Sequence, residues 1–223
     1  MKMLKLLLAP VLLSTVLILA SATNAGKETE RIENSTKVLT TFTTSDEPIP
    51  QELLKQSEGL VIIPKMINAG FGIGGKRGKG VAVVKLADGT WSNPVFITLT
   101  GGSFGFQIGV QSVDLVLVFK HKGVLTKVKN GDFTIGGDIS AAAGPVGRSS
   151  TASTDHKLEA EVYSYSRSRG LFAGISINGS NLSIDKSANA NFYGTGKTSQ
   201  QIFDTGKSTS TPVIGLKTAL KDL

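Results

Sequence analysis

The stretch that most constrains this fold runs from Leu158 to Gly194. Alternating segments at Leu158–Arg167 and Leu171–Asn178 meet at Arg169-Gly170, and Asn178-Gly179 leads into a third at Ser180–Asp185. Such a dipeptide between alternating apolar residues is a strong short-range hairpin signal, because both turn residues must accept positive φ. In the middle segment Leu171, Ala173, Ile175 and Ile177 share one face, and Phe172, Gly174, Ser176 and Asn178 share the other. The spacing predicts a three-stranded antiparallel meander.

The same texture recurs upstream. Leu60–Ile63 reads as a short buried strand. Gly80–Leu86 and Trp91–Leu99 read as strands around the turn Ala87-Asp88-Gly89-Thr90, and Pro94 implies an edge or a bulge. Gly102–Val110, Asp114–Phe119 and Thr134–Ala142 are further strands. Glycines recurring inside strands permit sharp bends and close backbone approach, which suits a curled sheet. Helical signals lie outside this region. Ile32, Ser35, Val38, Leu39 and Phe42 make one stripe on Gly26–Ser45, Pro50 opens Gln51–Ser57, and Asn130-Gly131 closes Lys120–Lys129. Thr198–Asp204 and Pro212–Leu223 also read as helical, joined by a Gly/Ser/Thr linker. The expected class is α+β, with a mainly antiparallel, strongly curled or barrel-like sheet and peripheral N-terminal, middle and C-terminal helices.

Residues 1–25 stand apart. Lys2 and Lys5 precede an apolar run from Leu6 to Ala20, and small residues at Ala20-Ser21-Ala22 and Thr23-Asn24-Ala25 offer two cleavage options. That is the pattern of a secretory signal peptide, since a membrane span needs about 20 apolar residues. The chain has no Cys, which excludes an acylated lipoprotein anchor and any disulfide. Residues 26–223 then form one domain: a helical segment 26–58, a β-rich core 59–185 and a helical segment 187–223. The expected place is exported, periplasmic or secreted, and peripheral to a membrane. Removing Lys2 and Lys5 lowers the net charge from +7 to +5. A basic balance favours anionic partners, and export argues against nucleic acid.

Little in the sequence suggests catalysis, and no cofactor or metal is expected. Gly70-x-Gly72-x-x-Gly75 matches a dinucleotide-binding pattern formally, but a strand follows it where a helix N-terminus is needed. His121 and His156 are far apart, and no His/Cys spacing suits zinc. Two kinds of binding surface are candidates. Lys76, Arg77 and Lys79 share a glycine-rich turn whose amides and charges suit phosphate, although a solvated hairpin tip has the same composition. Lys120, Lys122, Lys127 and Lys129 flank the apolar arc Val124, Leu125 and Val128, as on an interfacial helix or on a short helix packed on a sheet. Tyr163, Tyr165 and Arg167 share a strand face near Arg169. This face suits a ligand or protein partner, or equally a structural polar network.

Several of these residues carry a family resemblance. Tyr165-Ser166-Arg167-Ser168-Arg169-Gly170-Leu171-Phe172-Ala173-Gly174, followed by a hairpin and Tyr193-Gly194, resembles the motif of SYLF domains. Ile49-Pro50 through Pro64, Gly70–Gly75 with Arg77–Gly80, Gly109–Asp114 and Ala143–Arg148 resemble earlier parts of that family in order. The likeness covers Ile49 to Leu223. It implies a non-catalytic lipid-binding module, because eukaryotic SYLF domains bind phosphoinositides and other acidic lipids and some fungal members bind actin. The expected partner is therefore anionic phospholipid or a membrane surface. An envelope protein bound through the Tyr/Arg face is the alternative.

Overall fold

The computed structural model describes residues 26–121, 133–138, 140–144, 160–172 and 175–223. Helix α1 (26–44) lies where the apolar stripe predicts, and Ile32, Ser35, Val38, Leu39 and Phe42 are all buried. Its many threonines stay helical by donating their hydroxyls back one turn, as Thr36 does to Ile32 O at 3.0 Å. Helix α2 (Gln51–Gln56) follows Pro50 and buries Leu53 and Leu54.

Two long strands dominate the molecule. β1 (Gly59–Val84) and β2 (Val95–Phe119) pair antiparallel from Gly59↔Phe119 to Ala82↔Val95. The predicted turn at 87–90 joins them, with Gly89 at φ +81° and Leu86 N–H on Thr90 O at 2.7 Å. The separate strands expected at Leu60–Ile63 and Gly80–Leu86 are the two ends of β1, so the glycine-rich stretch between them continues the strand. Its only breaks in register fall between Ile63 and Met66 and between Phe71 and Gly72.

The ribbon bends so far that β1 crosses itself. A Cβ on Gly80 would sit 2.0 Å from Ile62 O, and one on Gly78 would sit 2.4 Å from Ile63 Cγ2. Only residues without a side chain can occupy that crossing.

The remaining strands are short: β3 (Phe133–Ile135), β4 (Ala141–Ala143), β5 (Val162–Ser168), β6 (Leu171–Phe172) and β7 (Ser180–Ile184). The sheet order is β3-β7-β2-β5-β4, with β1 on β2 and β6 on β5. Only positions 136–140 separate β3 from β4, yet these strands lie at opposite ends of that order. A link this short reaches at most about 20 Å, so the two edges approach each other and the sheet is a nearly closed barrel.

Two sequence expectations change here. The strand expected over Thr134–Ala142 is two strands on different edges, broken at Gly136 with φ +84°. The meander is also broken. Arg169 (φ +51°) and Gly170 (φ +83°) make the predicted turn, but β7 pairs with residues 97–101 of β2 and with β3 instead of β6. Residues 175–179 cross between these edges. Residues 1–25 and most of the helix expected over Lys120–Lys129 fall outside the described residues.

Period-two alternation sorts the core into two halves. Val61, Ile63, Ala82, Val84, Ile97, Leu99, Leu115 and Leu117 fill the barrel. Leu60, Ile62, Val81, Val83, Phe96, Val116 and Val118 face outward beneath α1, α2 and the C-terminal helices. These are α3 (Lys186–Tyr193), α4 (Ser199–Phe203) and α5 (Thr211–Lys221).

Candidate functional site

The C-terminal helices build an open groove against the start of β2. On α3, residues 185, 189 and 193 fall one turn apart on one face. Asp185 caps the helix by accepting from Ala188 N–H at 3.2 Å. Asn189 exchanges bonds with Phe96, accepting from its N–H and donating to its carbonyl, both at 3.0 Å. The Tyr193 hydroxyl donates to Pro94 O at 2.6 Å, and burial pushes its pKa up. Phe96 completes an aromatic cluster with Phe192, edge-on at 5.4 Å between centroids.

Helix α4 starts from the capping box of Thr198 and Gln201 and buries Ile202 and Phe203 in the barrel. The extended linker 205–210 then leads to α5, which buries Val213, Leu216 and Leu220. Its other side presents Ile214, Lys217 and Lys221 to the groove.

The groove encloses about 1030 Å³ and is lined by four lysines, Lys197, Lys207, Lys217 and Lys221, with Phe192, Tyr193 and Ile214. Ile214 is 49% exposed and adds an apolar side chain among these lysines. Lys217 donates to Gly206 O, and burial pushes its pKa below the usual lysine range. An adjoining depression is lined by Lys55, Lys85 and Trp91 and shares Lys217 and Lys221 with the groove. Lys85 lies 5.5 Å from the Trp91 ring centroid. A continuous face thus combines positive charge with the exposed Ile214 and the half-buried rings of Phe192 and Tyr193. No three His, Cys, Asp or Glu side chains come together as a metal site among the described residues.

Comparison with known proteins places this architecture. A family model described as "Ysc84: Las17-binding protein actin regulator" matches residues 100–223, which is more than half of the chain. The chain belongs to the Ysc84 family. This is the family of SYLF domains that the sequence motifs resemble. The chain is 39% identical over 161 residues to Protein YSC84 of Saccharomyces cerevisiae, covering 71% of this chain and 34% of that one. It is 38% identical over 161 residues to LAS seventeen-binding protein 3 of the same yeast, at 71% and 35% coverage. The human SH3 domain-containing YSC84-like protein 1 is 36% identical over 169 residues, at 75% and 49% coverage. The chain spans between a third and a half of the length of these relatives.

In this Ysc84-family chain the predicted site residues are dispersed. Lys76, Arg77 and Lys79 lie on continuous strand β1 and not on a turn, so period-two alternation separates Lys76 from Arg77 and Lys79, which share the other face. Lys76 points into the barrel, 6% exposed, where it donates to Ser176 O and burial lowers its pKa. Arg77 is exposed. Lys79 donates to Asp185 Oδ2 at 2.9 Å. Lys120 is half-buried with its N–H on Glu161 O at 3.0 Å, while Lys122, Lys127 and Lys129 lie outside the described residues.

The Tyr/Arg face is closed. Tyr163, Tyr165 and Arg167 are 4%, 1% and 8% exposed beneath the helical layer, whereas Arg169 is exposed at its turn. The physical reason is α1: Arg167 stacks 5.3 Å from the Phe42 ring centroid and donates to Glu47 O at 3.1 Å. Alternating Tyr and Ser on β5 leaves either face open to burial, and here both are buried.

Tyr165 has a consequence of its own. Its hydroxyl is buried and has no hydrogen-bond partner among the described residues, and its pKa is raised by burial and then by the Tyr163 charge. Removing a buried group that makes no bond restores nothing to water, so Tyr165→Phe is expected to be neutral or to stabilise by up to about 1 kcal/mol. Urea unfolding checks this. A loss above that size would mean that the hydroxyl is bonded.

Sequence reasoning missed Lys197, Lys207, Lys217 and Lys221. The signal available was the pairing of Lys217 and Lys221 at i, i+4 beside Ile214 on one side of α5.

Proposed function

We propose that this chain is a non-catalytic module that docks on anionic phospholipid surfaces through the lysine-lined groove. The observation carrying this reading is the three exposed lysines, Lys197, Lys207 and Lys221, that line the groove with the exposed Ile214. Lysine stems cover apolar surface while their ammonium groups reach outward, the arrangement by which a peripheral protein meets phosphate head groups above an acyl layer. Each lysine near an anionic bilayer contributes roughly 1 kcal/mol. The neighbouring Lys55 and Lys85 enlarge the same field. In this reading residues 1–25 direct export, and the module works at an envelope membrane.

The test is cosedimentation with phosphatidylcholine vesicles with and without phosphatidylglycerol, at low and high salt. Binding should require the anionic lipid and weaken with salt. The Lys197→Glu/Lys207→Glu/Lys221→Glu variant should lose about a hundredfold in affinity, at roughly 1 kcal/mol per lysine. Wild-type binding by this variant would reject the groove as the contact surface.

A protein partner is the second reading, favoured by the family model's description as a Las17-binding protein and by the name of one yeast relative, LAS seventeen-binding protein 3. No vesicle binding by the wild-type chain at either salt would select it.

A further inference from the structure

The linker between α4 and α5 holds its backbone as a strand does. Thr205 O accepts from Asn93 N–H at 2.8 Å and Lys207 O accepts from Asn93 Nδ2 at 3.1 Å, whereas Gly206 O, between them, accepts from Lys217 Nζ on α5. Carbonyls that alternate between two sides are the mark of extended backbone, since in a helical turn they all point one way. Asn93 thus takes one edge of the linker. In extended backbone a residue's N–H and C=O point to the same side, so the other edge carries the amides and carbonyls of Gly206 and Ser208. That edge faces the groove, which both residues line. Among the described residues only its Gly206 carbonyl is bonded, and the two N–H groups and Ser208 O have no partner.

The spacing of these groups selects the kind of ligand. Residues 206 and 208 are two apart, which sets their N–H groups about 7 Å from each other in an extended chain. A single phosphate or carboxylate is too small to meet both. The carbonyls of residues i and i+2 of an extended peptide repeat at that distance, which is how peptides add to exposed strand edges. The surrounding charge sets the chemistry of that peptide. Lys197, Lys207 and Lys221 are exposed, no Asp or Glu among the described residues lines this groove, and Ile214 offers an apolar contact.

We propose that the groove-facing edge of the linker accepts an added β-strand, an extended acidic segment of a partner protein with an apolar residue between its carboxylates. The Gly206 and Ser208 amides donate to its carbonyls, and Ser208 O accepts from one of its N–H groups. The three exposed lysines meet its carboxylates, and Ile214 takes its apolar side chain. The segment fills the surface assigned above to the membrane, so strand and bilayer exclude each other. That exclusion rests on the lipid reading of the groove, whereas strand addition does not.

The experiment titrates the isotope-labelled full chain with the peptide acetyl-Glu-Asp-Ile-Glu-Asp-Glu-amide and follows amide chemical shifts at constant ionic strength. The Gly206 and Ser208 amide protons should shift saturably and downfield as their hydrogen bonds form. The same peptide with every backbone nitrogen methylated keeps its charge and side chains but cannot pair as a strand. It should bind at least tenfold more weakly, the scale of losing two or more backbone hydrogen bonds. Ser208→Pro removes one donor without altering charge and should weaken the unmethylated peptide severalfold. The unmethylated peptide should also release the chain from phosphatidylglycerol vesicles.

Equal affinity for the two peptides, or shifts confined to the lysines, would overturn strand addition and leave the vesicle reading standing, because the attraction would then be charge alone. Peptide binding at the two amides by a chain that binds no vesicles would uphold strand addition and reject the lipid reading. Peptide and vesicles bound at the same time would overturn the exclusion. The methylated peptide probes the pairing in the wild-type chain, so the test does not depend on Ser208→Pro folding.

Discussion

Gly80→Ala is expected to cost about 3 kcal/mol or more and to lower Tm by roughly 10 °C, the scale set by overpacking in a domain of this size. The new methyl would lie 2.0 Å from Ile62 O, 2.9 Å from Ile62 C and 2.9 Å from Ile63 Cα. All three are backbone atoms of the same strand, so no side-chain rotation relieves the contact. The ribbon itself must open, which separates Val61 and Ile63 from Ala82 and Val84 inside the barrel.

Gly75→Ala is the matched control on the same strand. Its Cβ would meet nothing nearer than Gly101 O at 3.8 Å, an ordinary contact, and that change should stay within about 0.5 kcal/mol. Trp91 is the single tryptophan and is 7% exposed, so its fluorescence reports urea unfolding for both variants. Equal midpoints for the two would mean that β1 does not cross itself at Gly80.

That crossing also shows where the sequence stops being readable. Glycine serves both as a turn residue and as a residue permitting close approach, and local sequence does not separate these uses. The turn at Asp88-Gly89 and the turn at Arg169-Gly170 were legible because the chain reverses within a few residues. Gly78 and Gly80 are explained by Ile62, Ile63 and Met66, more than ten positions away. The stripe on α1 was legible for the same local reason: a period of 3.6 has one buried face whatever covers it.

Pairing of β7 with residues 97–101 has no local sign. Asn178-Gly179 does turn the chain, with Gly179 at φ +73°, but the turn delivers it to β3 and β2. The groove escaped for a similar reason, since Asn93 and Lys217 meet through a linker more than a hundred residues from Asn93. The Tyr163, Tyr165 and Arg167 face was visible as a face, but α1 decides whether solvent reaches it. Of the family's motif, the Tyr193-Gly194 end can now be given a physical role: Tyr193 ties α3 to Pro94 and so sets one wall of the groove.

Asp185→Asn should be the most damaging polar substitution on the outer face, costing about 2 kcal/mol at neutral pH. The Asp185 side chain is 6% exposed and binds three elements at once. Arg31 of α1 donates to Oδ2 at 3.1 Å, Lys79 of β1 donates to the same oxygen at 2.9 Å, and Ser187 and Ala188 of α3 donate to Oδ1. Burial alone would raise its pKa. The hydrogen bonds from Lys79, Ala188 and Ser187, with the Lys79 charge, overcome that and hold the pKa at about 2 against an ordinary 3.8.

A folded-state pKa below the unfolded one means that the carboxylate stabilises the fold above about pH 4. This contribution is lost as pH falls from about 4 toward 2. Holding the carboxyl at about 2 against an ordinary 3.8 corresponds to roughly 2 kcal/mol. Asparagine keeps an oxygen for the helix cap but removes the charge shared by Arg31 and Lys79. Lys79→Met should cost less, below about 1 kcal/mol, because that side chain is 47% exposed and its pairing is screened by water.

Urea unfolding at pH 7 and again near pH 2.5 separates the effects. The wild-type chain should lose stability between these values by about the amount that Asp185→Asn loses at pH 7, and the variant should show a correspondingly flatter acid limb. An acid limb unchanged by the substitution would show that other carboxylates govern the transition and that α1 is held on the barrel by its apolar stripe alone.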